Sequence, residues 1–335
     1  MFPGPPWFGH LSKCRKSMSQ ITVKVVRKAQ EAADIVSLEL ASTDGKPLPA
    51  FSAGAHIDVH IRDGLIRQYS LLNDSTEQTR YVIGVLRDPA SRGGSVAIHD
   101  DINEGDLVKI SEPRNHFELV PAPHSLLLAG GIGVTPILCM ARRLSHTQGS
   151  FEMHYCARSR DRMAFHDDIA NASFASRAHF HFDDGDAAQK LDLPAVLAAA
   201  PAGSHVYVCG PTGFIDYVVQ TAKQAGWGSD RVHFEYFGAA EIDTSGDSGF
   251  QVKIASTGAV YDVPADKRIT EVLDEAGVFV PVSCEEGVCG TCLVRVLEGT
   301  PEHRDLYLTD AEHEANDQFT PCCSRSKSPM LVLDL

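Results

Sequence analysis

The stretch VSCEEGVCGTCLVRV, residues 282–296, sets Cys284, Cys289 and Cys292 close together, with Gly287 and Gly290 between them and no histidine nearby. A thiol pair, Cys322 and Cys323, follows in TPCCSRS. Core residues, a disulfide framework, a zinc site and a redox cluster are the competing readings. The spacing is C-x4-C-x2-C, then 29 residues to Cys322. Its first part is the plant-type pattern by which thiolates hold a 2Fe-2S cluster. Such a cluster needs a compact loop whose N–H groups point at sulfur, and Gly287 and Gly290 permit that approach. Zinc knuckles are usually paired C-x2-C units, and only one such unit stands here. Three clustered thiols beside Glu285 and Glu286 fit a purely structural role less well still.

Two further stretches hold groups suited to a nucleotide-like cofactor. In RQYSLLND, residues 67–74, Tyr69 can pack against a flavin ring, Ser70 can reach a ring nitrogen and Arg67 can pair with phosphate. Read alone, it is an ordinary strand with a surface arginine. Gly93, Gly94 and Ser95 in SRGGSVAIHD offer a glycine turn whose N–H groups suit a phosphate, or else a plain loop. AGGIGVTPI follows an apolar strand and opens a helix. Its spacing is not the G-x-G-x-x-G dinucleotide fingerprint, yet strand, turn and helix still aim N–H donors where a pyrophosphate can sit. VYVCGPTGF places Cys209, Gly210 and Pro211 at the carboxyl end of another strand, where ligands of open α/β sheets bind. Cys209 taken singly reads as a buried thiol.

The elements that must position these residues fall into three groups. From Ile21 to about Val120, short alternating runs such as ITVKVVRKA, HIDVHIRD and YVIGVLRD, separated by turn residues, predict a small antiparallel β-barrel over 19–120. Strand-then-helix order repeats through SLLLAGGIGVTPILCMARRLS and HVYVCGPTGFIDYVVQTAKQAG, predicting an α/β parallel-sheet domain over 121–240. A polar linker at 241–248 precedes a hairpin, a short helix and further strands, an α+β domain over 249–335. Residues 1–18 read as a disordered lead-in, with Met18 as an alternative start.

Composition bounds the rest. A chain of 335 residues exceeds what one core usually organises. No apolar run approaches the ~20 residues that span a bilayer, and the opening lacks the apolar core of a secretory signal. The nine cysteines are therefore expected in a reducing, cytoplasmic setting, where metal and catalytic roles outrank disulfides. A net charge of -14 argues against nucleic acid and anionic membrane as partners. The fifteen histidines read as surface or structural residues, none as a metal ligand.

Taken in order, RQYSLLND, GGIGVTP, CGPTGF, HFEYFG and the cysteine pattern resemble the phthalate dioxygenase reductase and vanillate O-demethylase reductase family, from about residue 20 onward. The resemblance implies a multidomain chain: a flavin-binding antiparallel β-barrel, a nicotinamide-binding α/β domain and a β-grasp ferredoxin domain. It implies that NADH reduces FMN and that single electrons pass through a 2Fe-2S cluster to a Rieske-type oxygenase, with the chain acting as a monomer. A flavin is needed there because hydride carries two electrons and the cluster accepts one.

By the same resemblance, FMN falls to Arg67, Gln68, Tyr69, Ser70, Gly93, Gly94, Ser95 and Thr135. The nicotinamide nucleotide falls to Gly131, Gly133, Pro136, Arg158, Cys209, Gly210 and Pro211. Phe237 is expected near the flavin, and Ser70, Cys209 and Glu235 nearest the reacting groups. The cluster falls to Cys284, Cys289, Cys292 and Cys322. Cys323 is expected in the core, because neighbours in an extended segment point to opposite sides. Two alternatives are an FAD-dependent reductase serving another monooxygenase and a non-catalytic ferredoxin-like carrier. ARSRDRM, with Arg158, Arg160 and Arg162 around Asp161, leaves NADPH open beside NADH.

Overall fold

The computed structural model describes residues 20–62, 64–88, 93–238 and 244–335. The expected lead-in at 1–18 and part of the expected linker lie outside them. The chain forms three sheet-centred units in sequence order.

The first contains β1 (Gln20–Ala32), β2 (Ile35–Ser42), β3 (Ala55–Arg62), β4 (Leu65–Ser70), β5 (Arg80–Leu86), helix α1 (Gly94–Asp101), β6 (Leu107–Ser111) and β7 (Arg114–Asn115). The strands pair antiparallel in the order β4-β3-β6-β1-β2-β5, and β7 adds to β3. A single bridge, Leu71 with Ile83, brings the chain just past β4 against β5. The described pairings do not close the sheet into the expected barrel. Alternating residues such as Val23, Val25, Leu38, Leu40, Ile57 and Val59 face inward and form the core, as period-two patterning requires. The glycine turn at 93–95 is more ordered than the sequence suggested: Gly93 has φ 81° and α1 begins directly after it.

The second unit contains β8 (Ser125–Gly130), α2 (Val134–His146), β9 (Phe151–Ala157), α3 (His166–Ala170), β10 (Ala178–Phe182), α4 (Leu193–Ala199), β11 (His205–Cys209), α5 (Thr212–Gln224) and β12 (Val232–Glu235). Its strands are parallel in the order β10-β9-β8-β11-β12. Central β8, SLLLAG, is buried at every residue because helices cover both faces.

The third unit contains β13 (Phe250–Ile254), β14 (Val260–Val263), α6 (Ile269–Glu275), β15 (Val294–Glu298), β16 (Pro301–Glu302), α7 (Asp310–Ala315), β17 (Gln318–Phe319), β18 (Arg325–Ser326) and β19 (Met330–Leu333). A mixed sheet in the order β14-β13-β19-β15-β17 packs on α6 through Val252, Ile254, Leu273, Phe319 and Leu331.

The units meet in two different ways. Ile35, Ala53, Leu72, Val82 and Phe117 of the first share one apolar core with Leu127, Val134, Leu138 and Tyr207 of the second. The third unit has its own core. It reaches the first through Ser283 Oγ, which donates to Asp58 Oδ1 at 2.8 Å. At the start of the third unit, Asp247 is clamped by Arg304, whose Nη1 and Nη2 lie 3.1 and 2.6 Å from the carboxylate, and by Arg325 at 3.4 Å.

Candidate functional site

A cleft of ≈ 850 Å³ opens where the three units converge. Arg67, Gln68, Tyr69 and Ser70 line it from β4, Ser95 from α1, Thr135 from α2, Glu235 and Phe237 from the end of β12, and Cys284, Cys289 and Cys322 from the third unit. Nine of the sixteen positions expected to hold a flavin or nicotinamide cofactor are not on this wall: Gly93, Gly94, Gly131, Gly133, Pro136, Arg158, Cys209, Gly210 and Pro211. Seven wall residues therefore come from that set, namely Arg67, Gln68, Tyr69, Ser70, Ser95, Thr135 and Phe237.

Several of the remaining residues have evident packing roles. A Cβ on Gly94 would lie 2.6 Å from Arg67 Cγ, so this glycine lets α1 close over the arginine. A Cβ on Gly210 would lie 2.9 Å from Gly130 Cα, and one on Gly133 would strike the Cys209 carbonyl. The ends of β8 and β11 thus interlock through absent side chains, with Pro211 against Gly130. Pro136 is buried in the first turn of α2. Arg158 is exposed just past β9. Beside it, Arg160 pairs with Asp167 at 3.4 Å and Arg162 with Asp34 at 3.5 Å.

Burial favours the neutral forms of Glu235 on the wall and of Cys209 beside it. Burial pushes the Glu235 carboxyl up to about 8, partly opposed by its hydrogen bond from Ser70 Oγ at 3.4 Å. Burial first, and then the neighbouring Glu235, raise the Cys209 thiol well above its ordinary range. The parallel register places Cys209 beside Glu235. A protonated carboxyl and a neutral thiol leave the site without a fixed negative charge at that point.

The thiols gather from two segments. Cys284, Cys289, Cys292 and Cys322 are all buried. Cys284 contacts Cys289 and Cys322, and Cys322 contacts Cys292. Left-handed backbone at Glu285 (φ 58°), Gly287 (φ 74°) and Gly290 (φ 65°) curls the loop around them. The Glu286 N–H points at Cys284 Sγ at 3.4 Å, and the Thr291 N–H at Cys289 Sγ at 3.5 Å. Contact with Cys284 and then burial push the Cys289 thiol strongly up; at Cys322 contact with Cys284 acts downward, and contacts with Cys292 and Cys323 together with burial push it strongly up. A cationic centre is what can hold four such sulfurs as thiolates, so the residues present fit a four-thiolate iron–sulfur cluster.

The two glycines serve a second purpose. The Tyr307 ring fills the space beside Gly290, and Asp305 with Cys323 that beside Gly287. Cys323 packs, partly buried, against the core of the third unit, as expected, but the backbone that carries it differs from the expected one. Residues 321–323 form a turn, not an extended segment. The Cys323 and Ser324 N–H groups both donate to the Thr320 carbonyl, at 3.3 and 3.1 Å. Adjacent thiols in a turn need not point apart, and Cys323 contacts Cys322 and lines the same cleft.

Between the two halves of the cleft lie residues that the sequence did not single out. Asp58 on β3 is buried; its Oδ1 accepts from Gln68 Nε2 at 3.1 Å as well as from Ser283, and its Oδ2 pairs with Arg114. One carboxylate thus joins the flavin-type motif to the residue preceding Cys284. His56, whose Nε2 is buried without a hydrogen-bond partner among the described residues, and His116 also line the cleft, with ring centroids 5.5 Å apart. His116 in turn meets the Tyr307 ring edge-on at 5.7 Å. Desolvation holds His56 down at about 4, so it is neutral. Strand alternation alone could not reveal these contacts, since their partners lie up to 225 residues away.

Known proteins resemble this chain over most of its length. Residues 252–327 match the model of the 2Fe-2S iron-sulfur cluster binding domain. Residues 113–232 match that of the dimethylamine monooxygenase subunit DmmA-like N-terminal domain. A vanillate O-demethylase oxidoreductase of Pseudomonas sp. (strain HR199) is 55% identical over 95% of this chain and 100% of its own length. The phthalate dioxygenase reductase of Burkholderia cepacia is 42% identical over 94% of this chain and 97% of its own. A solved phthalate dioxygenase reductase, described as a modular structure for electron transfer from pyridine nucleotides to [2Fe-2S], superposes with a TM-score of 0.75 at 42% identity, covering 94% of this chain and 98% of that one.

Proposed function

Since this chain belongs to the family of vanillate O-demethylase oxidoreductases and phthalate dioxygenase reductases, we propose that it carries electrons from NADH, through FMN and a 2Fe-2S cluster, to a Rieske-type terminal oxygenase or O-demethylase in the cytoplasm. The chain is an oxidoreductase with a 2Fe-2S domain. The observation that carries the reading is the shared cleft, with Tyr69, Ser70 and Phe237 on one wall and three of the four cluster thiols on the other.

In this reading FMN lies against Tyr69, with Arg67, Ser95 and the turn at Gly93 and Gly94 toward its phosphate. Gln68 and Thr135 hold its flanks, and Phe237 covers the ring. The nicotinamide enters past Gly131, Gly133, Pro136, Arg158, Gly210 and Pro211, toward Cys209 and Glu235. FMN supplies the ability to take two electrons together and release them singly. Ser70 fixes Glu235, and the neutral Glu235 and Cys209 avoid repelling an electron-rich ring. Asp58 keeps Gln68 and the cluster loop in one register. The ion pairs that occupy Arg160 and Arg162 support NADH over NADPH.

The domain limits follow as 19–120, 121–240 and 249–335, with the first sheet a barrel in the broad sense and the third unit a β-grasp. The acceptor is a protein, and the chain acts as a monomer. Anaerobic addition of NADH should bleach flavin absorbance first and cluster absorbance after it, and acid should release FMN. Release of FAD would favour the reductase of a different monooxygenase, and no bleaching at all would leave a simple electron carrier.

A further inference from the structure

Behind the cluster loop, the segment from β16 to α7 carries His303, Asp305 and His313. One nitrogen of each ring and one oxygen of Asp305 all lie within 4.8 Å of one another. The carboxylate of Asp305 is fully buried and already oriented: Oδ2 accepts from the N–H groups of Tyr307 at 3.2 Å and Leu308 at 2.8 Å. Its Oδ1 faces His313 Nε2 at 3.3 Å and His303 Nδ1 at 3.7 Å. The two rings stack with centroids 4.4 Å apart.

The tautomer of His303 can be worked out from its neighbours. Its Nε2 lies 3.2 Å from Asn316 Oδ1, and Asn316 Nδ2 donates to the Glu314 carbonyl at 3.0 Å, which turns the amide oxygen toward the ring. An acceptor at that place requires the proton on Nε2, so Nδ1 of the neutral ring carries a lone pair. That nitrogen is buried without a hydrogen-bond partner among the described residues, on a side chain only 9% exposed, and it faces a carboxylate oxygen. Two lone pairs opposed in a dry site are costly unless something positive lies between them.

We propose that His303 Nδ1, Asp305 Oδ1 and His313 Nε2 form a divalent-cation site of the Zn²⁺ class, distinct from the thiolate cluster. Two imidazoles and a carboxylate are the borderline donor set that Zn²⁺ takes with three protein ligands and water. Bonds of ~2.0–2.1 Å in a tetrahedron separate ligand atoms by roughly 3.3–3.4 Å, close to the two observed edges. Asn316 supplies the outer partner that orients a ligating histidine. His313, 27% exposed, provides the way in for the ion and leaves room for water. The site also has a mechanical neighbour: Leu306 N–H donates to the Gly287 carbonyl at 3.1 Å. A bound cation would brace the segment that backs the cluster loop. The sequence reading, which assigned no histidine to a metal, is revised by this proposal.

The test is equilibrium dialysis of the cluster-loaded full chain against micromolar Zn²⁺, with iron and zinc counted together. About one Zn²⁺ per chain should be retained beyond the cluster iron. His313→Gln and His303→Gln should each weaken it roughly tenfold or more while keeping the 2Fe-2S absorbance. If His303→Gln loses the cluster on folding, the exposed His313→Gln decides alone. Zinc-edge X-ray absorption should show nitrogen and oxygen neighbours without sulfur. No retention by the unaltered chain, equal retention by His313→Gln, or sulfur in the zinc shell would each overturn the site.

Discussion

The seam between the first and second units is apolar, and the seam between the first and third is polar. Phe117, Leu72 and Val82 pack into the same core as Leu138 and Tyr207 across the one, whereas Ser283, Asp58, Gln68 and Arg114 form a hydrogen-bonded latch across the other. Each fully buried Leu or Phe side chain contributes ~1.5–3 kcal/mol, while a latch of a few hydrogen bonds nets about 1 kcal/mol per bond. On the proposed function, the apolar seam would hold the partners of hydride transfer rigidly in contact, and the polar seam would give the one-electron step a lighter attachment.

The contrast can be broken most decisively at the cluster. Cys322→Ala should abolish the visible absorbance and reduced-state paramagnetic signal of the cluster, while NADH still reduces the flavin on the other side of the polar seam. Cys323→Val should keep both, at a small packing cost, although Cys323 now stands beside the cluster thiols. Loss of the cluster in the Val variant alone would move the ligand by one residue.

At the apolar seam, Phe117→Ala should cost about 3–5 kcal/mol in chemical denaturation. The first two units should unfold in one transition monitored away from the cluster, with the 2Fe-2S domain unfolding separately. Two resolved transitions for the first two units would show that the core is not shared in energy.

Glu235 adds a pH dependence confined to that half. Its folded pKa of about 8 exceeds the unfolded value of 4.5, so the folded state holds a proton that the unfolded state releases. Stability should therefore be full below pH ~4.5 and fall as pH rises toward ~8, by on the order of 2–3 kcal/mol once the open cleft is allowed for. Glu235→Gln should flatten the melting temperature across that window; an unchanged slope would assign the effect elsewhere.

Smaller effects belong to the latch. Ser283→Ala removes one hydrogen bond of about 1 kcal/mol and should slow flavin-to-cluster transfer several-fold in stopped-flow traces, with hydride transfer unaltered. Equal slowing of both would mean that the two seams are mechanically one. The smallest is salt. Residues 248–335 hold 7 Lys and Arg against 15 Asp and Glu, so electron delivery to a basic oxygenase face should slow with added salt while NADH-to-flavin reduction stays level.

How much of this was readable depended on distance along the chain. Cys284, Cys289 and Cys292 share one loop, so spacing exposed them, and SLLLAG announced a strand buried on both faces. Arg67 to Ser70 could be placed on a strand, but their meeting with Glu235 and Cys284 depends on how three sheets dock. Asp58 looked like one more polar position in an alternating strand, and nothing near it named Ser283. Gly133 and Gly210 were read as nucleotide binders, and their contacts show that they also let two strand ends approach. Cys323 does pack against the core, but its contact with Cys322 was missed because an extended segment was assumed where the chain turns at Pro321.

The clamp on Asp247 bears on how internal transfer responds to dilution. With Arg304 and Arg325 gripping that carboxylate, the entry to the 2Fe-2S domain is anchored at Asp247, nine residues along the chain from Gly238. On the proposed function, covalent continuity of the chain would keep the two redox centres at a high effective concentration, of millimolar order for short linkers. Transfer from flavin to cluster would then be a first-order process that ignores how much protein is present. Reduction by NADH and delivery to a separate acceptor would both depend on concentration.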